Sequence, residues 1–248
     1  MLRSETERGQ LDERRAGPDS DLSSPAAPYR LIAWLAISGA VLLVLGTGLH
    51  PTGADPADSR AVFDEYAATG RGRWVASHLV QLAGVVAMVL GIRLFTPARG
   101  AAAGVTGMLC SATVAVAVTL QAVDGVGLKA MVDEESGALK DDKGALFAAA
   151  LAVRQIEIGL DALLGLLVAA TLLVFAVVLF RDAAKAPAAL AMLAGLATLV
   201  TGLLMALEGY SSRAMLASTV GGLSTVVLML ALAIWCRKRG RLTLAPSR

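Results

Sequence analysis

The chain has 248 residues, of which 56% are hydrophobic and only 17% are charged, and its formal net charge is +2 at pH 7. A soluble domain of ordinary composition is about a quarter charged, so this composition argues against one. The small net charge, without a basic stripe interleaved with aromatic residues, gives no support to nucleic-acid binding. The composition instead predicts an all-α protein whose main partner is the lipid bilayer.

The two ends of the chain are polar. Residues 1–29 are mixed in charge and rich in proline and serine, which predicts a disordered cytoplasmic tail. No short apolar stretch with a small-residue cleavage site begins the chain, so the first apolar segment is predicted to be retained as a span. A transmembrane domain is predicted over 30–237, followed by a basic cytoplasmic tail over 238–248.

Between these tails the apolar segments are long enough for about six helical crossings, each of which needs about 20 residues. The predicted spans run near 31–50, 74–96, 101–123, 158–180, 187–208 and 215–236. The fourth is unusual, because its helical pattern begins near Asp142 and continues to Phe180. It is therefore expected to protrude from the bilayer or to be strongly tilted.

Lysine and arginine are enriched in the cytoplasmic segments of membrane proteins, and this bias predicts orientation. With the N-terminus inside, the inner side carries 14 of these residues: Arg3, Arg8, Arg14, Arg15, Arg30, Arg93, Arg99, Arg181, Lys185, Arg237, Lys238, Arg239, Arg241 and Arg248. The outer side carries 8: Arg60, Arg71, Arg73, Lys129, Lys140, Lys143, Arg154 and Arg213. Both termini are therefore predicted to be cytoplasmic, in a multi-pass protein of the bacterial cell membrane.

The first exterior segment, DPADSRAVFDEYAATG, predicts a short amphipathic helix on the outer surface. Asp55 is expected to cap it and Gly70 to end it. Val62, Phe63 and Tyr66 form one apolar face. Residues 124–143 form a second exterior segment, and its acidic residues are expected to be solvated.

Polar and ionisable residues concentrate in the outer half of the predicted bundle, where lipid cannot satisfy them. A pocket built from spans two to five is predicted from eight such residues: His78, Gln81, Gln121, Asp124, Arg154, Glu157, Asp161 and Glu208. Arg154, Glu157 and Asp161 share one helical stripe. Arg154 and Glu157 are expected to pair, which leaves Asp161 available to a proton or a ligand.

Three functions remain open for this cluster. The first is a small-molecule or ion-binding or transport component with an outward-facing polar pocket. The alternative is a non-catalytic structural or accessory membrane subunit. The third is a haem- or metal-binding redox protein that uses His50 and His78, the only histidines in the chain, with Glu157 or Asp161 completing the ligand set.

Other chemistry finds little support in the sequence. GxSxG, P-loop and Rossmann glycine patterns are absent, so the sequence favours a protein that is not an enzyme and predicts no catalytic residue. HExxH spacing is also absent, and no cofactor or metal is predicted beyond the histidine hypothesis above. Cys110 and Cys236 are predicted to be packing residues without a disulfide. The pattern is compatible with a homo-oligomer and identifies no protein partner.

One stretch of the chain resembles a known group of proteins. In LLVLGTGLHPTGADPADSRAVFDEYAATGRGRWVASHLVQLAGVVAMVLGIRLF, a span ends in His-Pro, a short acidic helix follows, and Trp and His open the next span. This arrangement resembles small uncharacterised bacterial multi-pass membrane proteins. The resemblance covers residues 40–95 and implies architecture without an activity, and it draws attention to His50 and His78.

Overall fold

The structure is a computed structural model that describes residues 27–96 and 101–242. The regular secondary structure in these ranges is helical, and six helices are long and apolar enough to cross a membrane. The prediction of an all-α bundle of about six spans is therefore confirmed. Most of the predicted N-terminal tail and the end of the predicted basic tail lie outside the described residues.

The chain forms eight α-helices in the described ranges. They are α1 (Ala27–Leu49), α2 (Ser59–Ala68), α3 (Arg71–Phe95), α4 (Ala101–Ala122), α5 (Lys129–Gly137), α6 (Lys143–Arg181), α7 (Lys185–Glu208) and α8 (Ser212–Leu242). A π-helical turn, Val123–Leu128, joins α4 to α5, so the third span is one continuous helix. Helix extends into both predicted tails, to Ala27 at one end and Leu242 at the other.

Helix α6 confirms the expectation of an unusually long fourth span. It has 39 residues and begins directly after Asp142. At about 1.5 Å per residue it is about 58 Å long, roughly twice the thickness of a bilayer hydrocarbon core. Its first turns therefore extend beyond the apolar layer, where they support α2 and α5.

Close helix contacts depend on glycines, as expected where helices pack without a hydrophobic driving force. A Cβ at Gly46 of α1 would lie 2.8 Å from the backbone nitrogen of Gln81 in α3. A Cβ at Gly202 of α7 would lie 2.9 Å from the backbone nitrogen of Leu166 in α6. These contacts join neighbouring antiparallel helices. At one end of the bundle, α1, α4 and α7 end and α3, α6 and α8 begin. We call this end of the bundle the polar end.

The opposite end of the bundle holds the largest apolar core. Tyr29, Phe95, Phe175 and Trp235 pack there, with the Phe95 and Phe175 ring centroids 5.5 Å apart. Cys110 and Cys236 are buried free cysteines, so the prediction of packing residues without a disulfide is confirmed. This arrangement leaves the polar chemistry to the other end.

Helix α2 covers the polar end, as its predicted apolar face requires. Val62, Phe63 and Tyr66 are all buried, and they pack with Trp74 of α3 and other residues of α5 and α6. The N-cap of α2 lies three residues later in the chain than predicted. Asp58, not Asp55, has the extended backbone of an N-cap, and its carboxylate accepts hydrogen bonds from the next backbone amides.

The second exterior segment is helical rather than a solvated loop. Glu135 of α5 is 4% exposed and accepts a hydrogen bond from Arg60 of α2 at 2.7 Å. Lys129 is 2% exposed, and its ammonium group contacts Asp133 and the carbonyl oxygen of Tyr66. The charges of α5 therefore attach α2 to the bundle, which is why some of them are buried.

Candidate functional site

The centre of the polar end is a direct contact between His78 of α3 and Asp124 of the π-helical turn. The His78 Nε2 and Asp124 Oδ2 atoms are 2.8 Å apart. The other ring nitrogen, Nδ1, lies 2.7 Å from the carbonyl oxygen of Trp74, to which it can only donate. Both nitrogens therefore face acceptors. This geometry satisfies a protonated ring, or a neutral ring with another cation in place of the Nε2 proton.

His50 lies beside this pair, although it comes from the end of α1. Its ring centroid is 5.2 Å from that of His78, and its Nδ1 atom donates to the carbonyl oxygen of Pro51 at 2.9 Å. Burial lowers the pKa of His50, and the Asp124 carboxylate partly offsets this shift. The fold thus brings together His50 and His78, the two histidines of the chain.

Among the described residues, one group of three His, Cys, Asp or Glu side chains could hold a metal ion. It consists of His50, His78 and Asp124, whose ligand atoms lie within 4.8 Å of one another. Glu157 and Asp161, the predicted third ligands, are not in this group. The structure instead places Asp124 with the two histidines, because the π-helical turn brings it against His78.

Aromatic residues enclose the three side chains. Trp74 is fully buried, with its ring 5.1 Å from that of His50 and 4.7 Å from that of His78. The Trp74 indole nitrogen also donates to the backbone carbonyl oxygen of Asp124 at 3.2 Å, which orients the π-helical turn. Tyr66 packs against Trp74 with its ring tilted by 58°, and burial raises the pKa of the Tyr66 hydroxyl.

The π-helical turn also brings its backbone close to the site. A Cβ at Gly125 would lie 3.0 Å from the Cβ of His78 and 3.1 Å from its Cγ. A side chain at this position would crowd His78, so glycine favours the close approach of α3 and the turn. Single π turns within α-helices are uncommon and occur frequently at functional sites.

Arg154 of α6 connects the cluster to the loop before α2. It is 3% exposed, and it donates to the carbonyl oxygen of Pro56 at 2.7 Å and to the Ser59 hydroxyl at 2.8 Å. These contacts replace the predicted ion pair with Glu157, which does not form among the described residues. The loop before α2 needs hydrogen-bond donors, and the guanidinium group supplies them.

Glu157 is paired instead with a residue that the sequence did not indicate. The Tyr210 hydroxyl, from the short connection between α7 and α8, donates to Glu157 Oε1 at 2.6 Å. Burial raises the pKa of Tyr210 well above its usual value, and the Asp161, Glu157 and Asp124 carboxylates raise it further. Tyr210 therefore stays a neutral donor among three acidic side chains.

Several buried oxygen atoms in this region lack a hydrogen-bond donor among the described residues. They are Gln121 Oε1, Asp124 Oδ1 and Glu157 Oε2. An unsatisfied buried acceptor is costly, and most buried polar atoms have a partner. Two of the three belong to carboxylates, and Arg154 Nε is an unpaired buried donor in the same region of the described structure. The two carboxylate oxygens suit a cation, a proton or water. We call the set His50, His78, Gln121, Asp124 and Glu157 the polar centre.

A partly open cavity of about 450 Å³ adjoins the polar centre at Arg154 and Tyr210. This volume is within the usual range for small-molecule sites. Its polar lining residues are Ser59, Arg154, Gln155, Glu208, Tyr210 and Ser211.

The eight predicted pocket residues thus divide into groups. His78 and Asp124 are in contact, Glu157 and Asp161 lie around Tyr210, and Gln121 contributes an unpaired oxygen. Arg154 and Glu208 line the cavity, where Glu208 is exposed and pairs with Ser211 and Arg213. Gln81 packs against Gly46 of α1.

Tyr210 and Ser59 are site residues that the sequence analysis missed. Neither lies within a predicted span, so hydropathy gave no reason to select them. Comparison of the chain with protein-family models, curated proteins and solved structures found no match. The resemblance of residues 40–95 to small uncharacterised bacterial membrane proteins stays a prediction.

Proposed function

We propose that this integral membrane protein binds a cation at the polar centre, on the outer side of the membrane, as a binding or transport component. The observation that carries the proposal is the set of buried acceptors without donors, Gln121 Oε1, Asp124 Oδ1 and Glu157 Oε2. Charge supports it too. Asp124, Glu157 and Asp161 act together on Tyr210, and Arg154 is the permanently charged cation beside them. A bound cation would offset the excess of acidic groups.

The cavity supports a route by which small ions reach this region. It is lined by Arg154 and Tyr210, and Tyr210 in turn contacts Glu157. The positive-inside bias supports the outward direction of this opening. The alternative from another class is a structural or accessory subunit. It is favoured by the hydrogen bonds with which Arg154, Lys129 and Arg60 attach α2 to the bundle.

Thermal unfolding of the purified protein in detergent separates these two proposals. Sodium, potassium, magnesium, calcium and zinc chlorides are compared with N-methylglucamine chloride at equal ionic strength. A ligand present at about 100 times its Kd stabilises the folded state by about 2.7 kcal/mol, which would raise the melting temperature by several degrees. We expect at least one cation to have this effect.

A pair of variants ties the effect to the polar centre. We expect the Asp124→Asn/Glu157→Gln double variant to lose the cation-dependent stabilisation, because it removes both acidic groups that carry unpaired oxygens. Glu134→Gln is the matched control, since Glu134 is exposed and lies outside the centre. If no cation stabilises the wild-type protein more than N-methylglucamine does, cation binding fails and the structural role is favoured.

A further inference from the structure

Three side chains of the polar centre offer the nitrogen and oxygen ligands that transition metals prefer. We infer that His50, His78 and Asp124 bind one divalent transition-metal ion, of the class represented by Zn²⁺. This inference deepens the proposed function and rests on it, because it names the cation and the ligands. The ligand atoms of the three side chains lie within 4.8 Å of one another.

Metal binding requires a small rearrangement of the site. Tetrahedral zinc with bonds of about 2.0–2.2 Å keeps its ligand atoms about 3.3–3.6 Å apart. His78 Nε2 and Asp124 Oδ2, at 2.8 Å, are nearer than this, so these two atoms would move apart by about 0.5 Å. His50 follows the last residue of α1 and its ring already packs against that of His78, so it lies on the side from which it would complete the site.

The hydrogen bonds of the two imidazole rings prepare the same nitrogen of each for a metal. His78 Nδ1 donates to the carbonyl oxygen of Trp74, and His50 Nδ1 donates to the carbonyl oxygen of Pro51. In a neutral ring this leaves Nε2 with a free lone pair. Metal-binding histidines almost always donate their other ring N–H to a carbonyl or carboxylate, which fixes the tautomer and the ring orientation.

The ligand types decide the class of ion. Two imidazole nitrogens and one carboxylate suit zinc and its neighbours in the first transition row, whereas magnesium and calcium prefer oxygen ligands alone. Three protein ligands leave the fourth position of a tetrahedral ion for water or a substrate group. Binding would replace any proton held between His78 and Asp124, so metal uptake should release protons.

The surroundings stabilise this arrangement. Trp74 packs on both histidine rings and holds the backbone of Asp124 through its indole nitrogen. Gly125 allows the π-helical turn to approach His78 closely. An apolar wall of this kind restricts water and strengthens the attraction between a metal ion and its carboxylate ligand.

Metal binding to the purified full-length protein tests the inference directly. The protein is prepared with a histidine-free affinity tag, stripped with EDTA and titrated with Zn²⁺ against a chromophoric chelator. We expect one zinc ion per chain. Co²⁺ should replace it and give the intense visible absorption of a four-coordinate site. If the wild-type protein binds neither ion, the inference is overturned whatever the variants do.

Variants establish which residues bind the ion. His50→Ala, His78→Ala and Asp124→Asn should each weaken zinc binding by more than about 100-fold, since loss of an outer-shell partner alone costs about 10- to 100-fold. Glu134→Gln should keep the wild-type affinity. Circular dichroism and size-exclusion chromatography confirm that each variant is folded. Zinc bound equally well by the His50→Ala/His78→Ala variant would overturn the assignment.

The two proposals can fail separately. If sodium or calcium stabilises the protein through Asp124 and Glu157 while zinc binding does not depend on the histidines, the metal assignment fails and cation binding stands. If no cation, zinc included, has any effect beyond ionic strength, both fail.

Discussion

His78 and Asp124 are 46 positions apart in sequence, yet their Nε2 and Oδ2 atoms are 2.8 Å apart. The contact joins α3 to the π-helical turn in a region where both side chains are largely buried, at 3% and 13% exposed. Removing one residue of a buried charged pair leaves the other charge buried without a partner, which strongly destabilises the folded state.

The first prediction is therefore energetic coupling between these two residues. His78→Ala and Asp124→Asn should each lower the free energy of unfolding. The double variant should lose less than the sum of the two, by about 1–3 kcal/mol. Unfolding in mixed micelles, followed by circular dichroism, provides the double-mutant cycle. The exposed pair Glu208 and Arg213, 3.6 Å apart, is the control and should show little coupling.

The second prediction uses the glycines of the π-helical turn. Gly125→Ala should lower both the melting temperature and the zinc affinity, because its Cβ would press against the Cβ and Cγ of His78. Gly127→Ala is the matched control, since its Cβ would meet only Ala122 O at an ordinary 3.7 Å. Thermal melts and the chelator assay measure both properties. Equal effects at the two positions would contradict the proposed role of close packing against His78.

The helices of the fold were predictable because they depend on local sequence. A run of about 20 apolar residues predicts a span whatever the rest of the chain does. The helical pattern from Asp142 to Phe180 likewise predicted the length of α6. The cap of α2 was less predictable, because Asp55 and Asp58 have the same chemistry. Asp58 has the extended backbone of a cap and accepts the capping hydrogen bonds, and Arg154 hydrogen-bonds the intervening Pro56.

The site could be predicted in part. Hydropathy placed His50, His78, Asp124 and Glu157 in the outer half of the bundle or at its interface, but depth does not specify which side chains meet. Which side chains meet depends on how each helix is rotated about its axis. The π-helical turn brings Asp124 towards His78, and the spacing of residues in the sequence does not predict such a turn. Tyr210 was missed because it lies in a connection, where its contact with Glu157 depends on how α6, α7 and α8 pack.

The third prediction concerns Arg154 as an anchor of α2. Arg154→Ala should increase hydrogen exchange in residues 51–59, because it removes the donors to Pro56 O and Ser59 Oγ. Arg154→Lys should recover only part of the protection, since an ammonium group cannot reproduce the two-pronged geometry. Hydrogen–deuterium exchange with mass spectrometry measures this. Asp64→Ala is the control, because Asp64 is an exposed residue of α2.

The fourth prediction follows from the raised pKa values of Tyr66 and Tyr210. Both hydroxyls should remain protonated between about pH 9 and 11, where ordinary tyrosines ionise. The increase in tyrosinate absorbance over this range should therefore be unchanged in Tyr66→Phe and Tyr210→Phe. The folded state holds these protons more tightly than the unfolded chain does. Stability should consequently fall as the pH rises above about 10. A smaller absorbance change in either variant would contradict the burial of that hydroxyl.

The last prediction tests the side of the membrane on which the polar end lies. Cys110 and Cys236 are 4% and 0% exposed, so they should react little with maleimides, and introduced cysteines should dominate the labelling. Leu139 is 78% exposed in the turn between α5 and α6, at the polar end. Asp182 is exposed in the turn between α6 and α7, at the opposite end.

If the positive-inside bias gives the correct orientation, Leu139→Cys should react with a membrane-impermeant maleimide in intact cells. Asp182→Cys should react only after the membrane is permeabilised. The reverse pattern would place the polar centre on the cytoplasmic side. A metal or other cation would then reach His50, His78 and Asp124 from the cytoplasm, and the outward direction of the proposed function would be wrong.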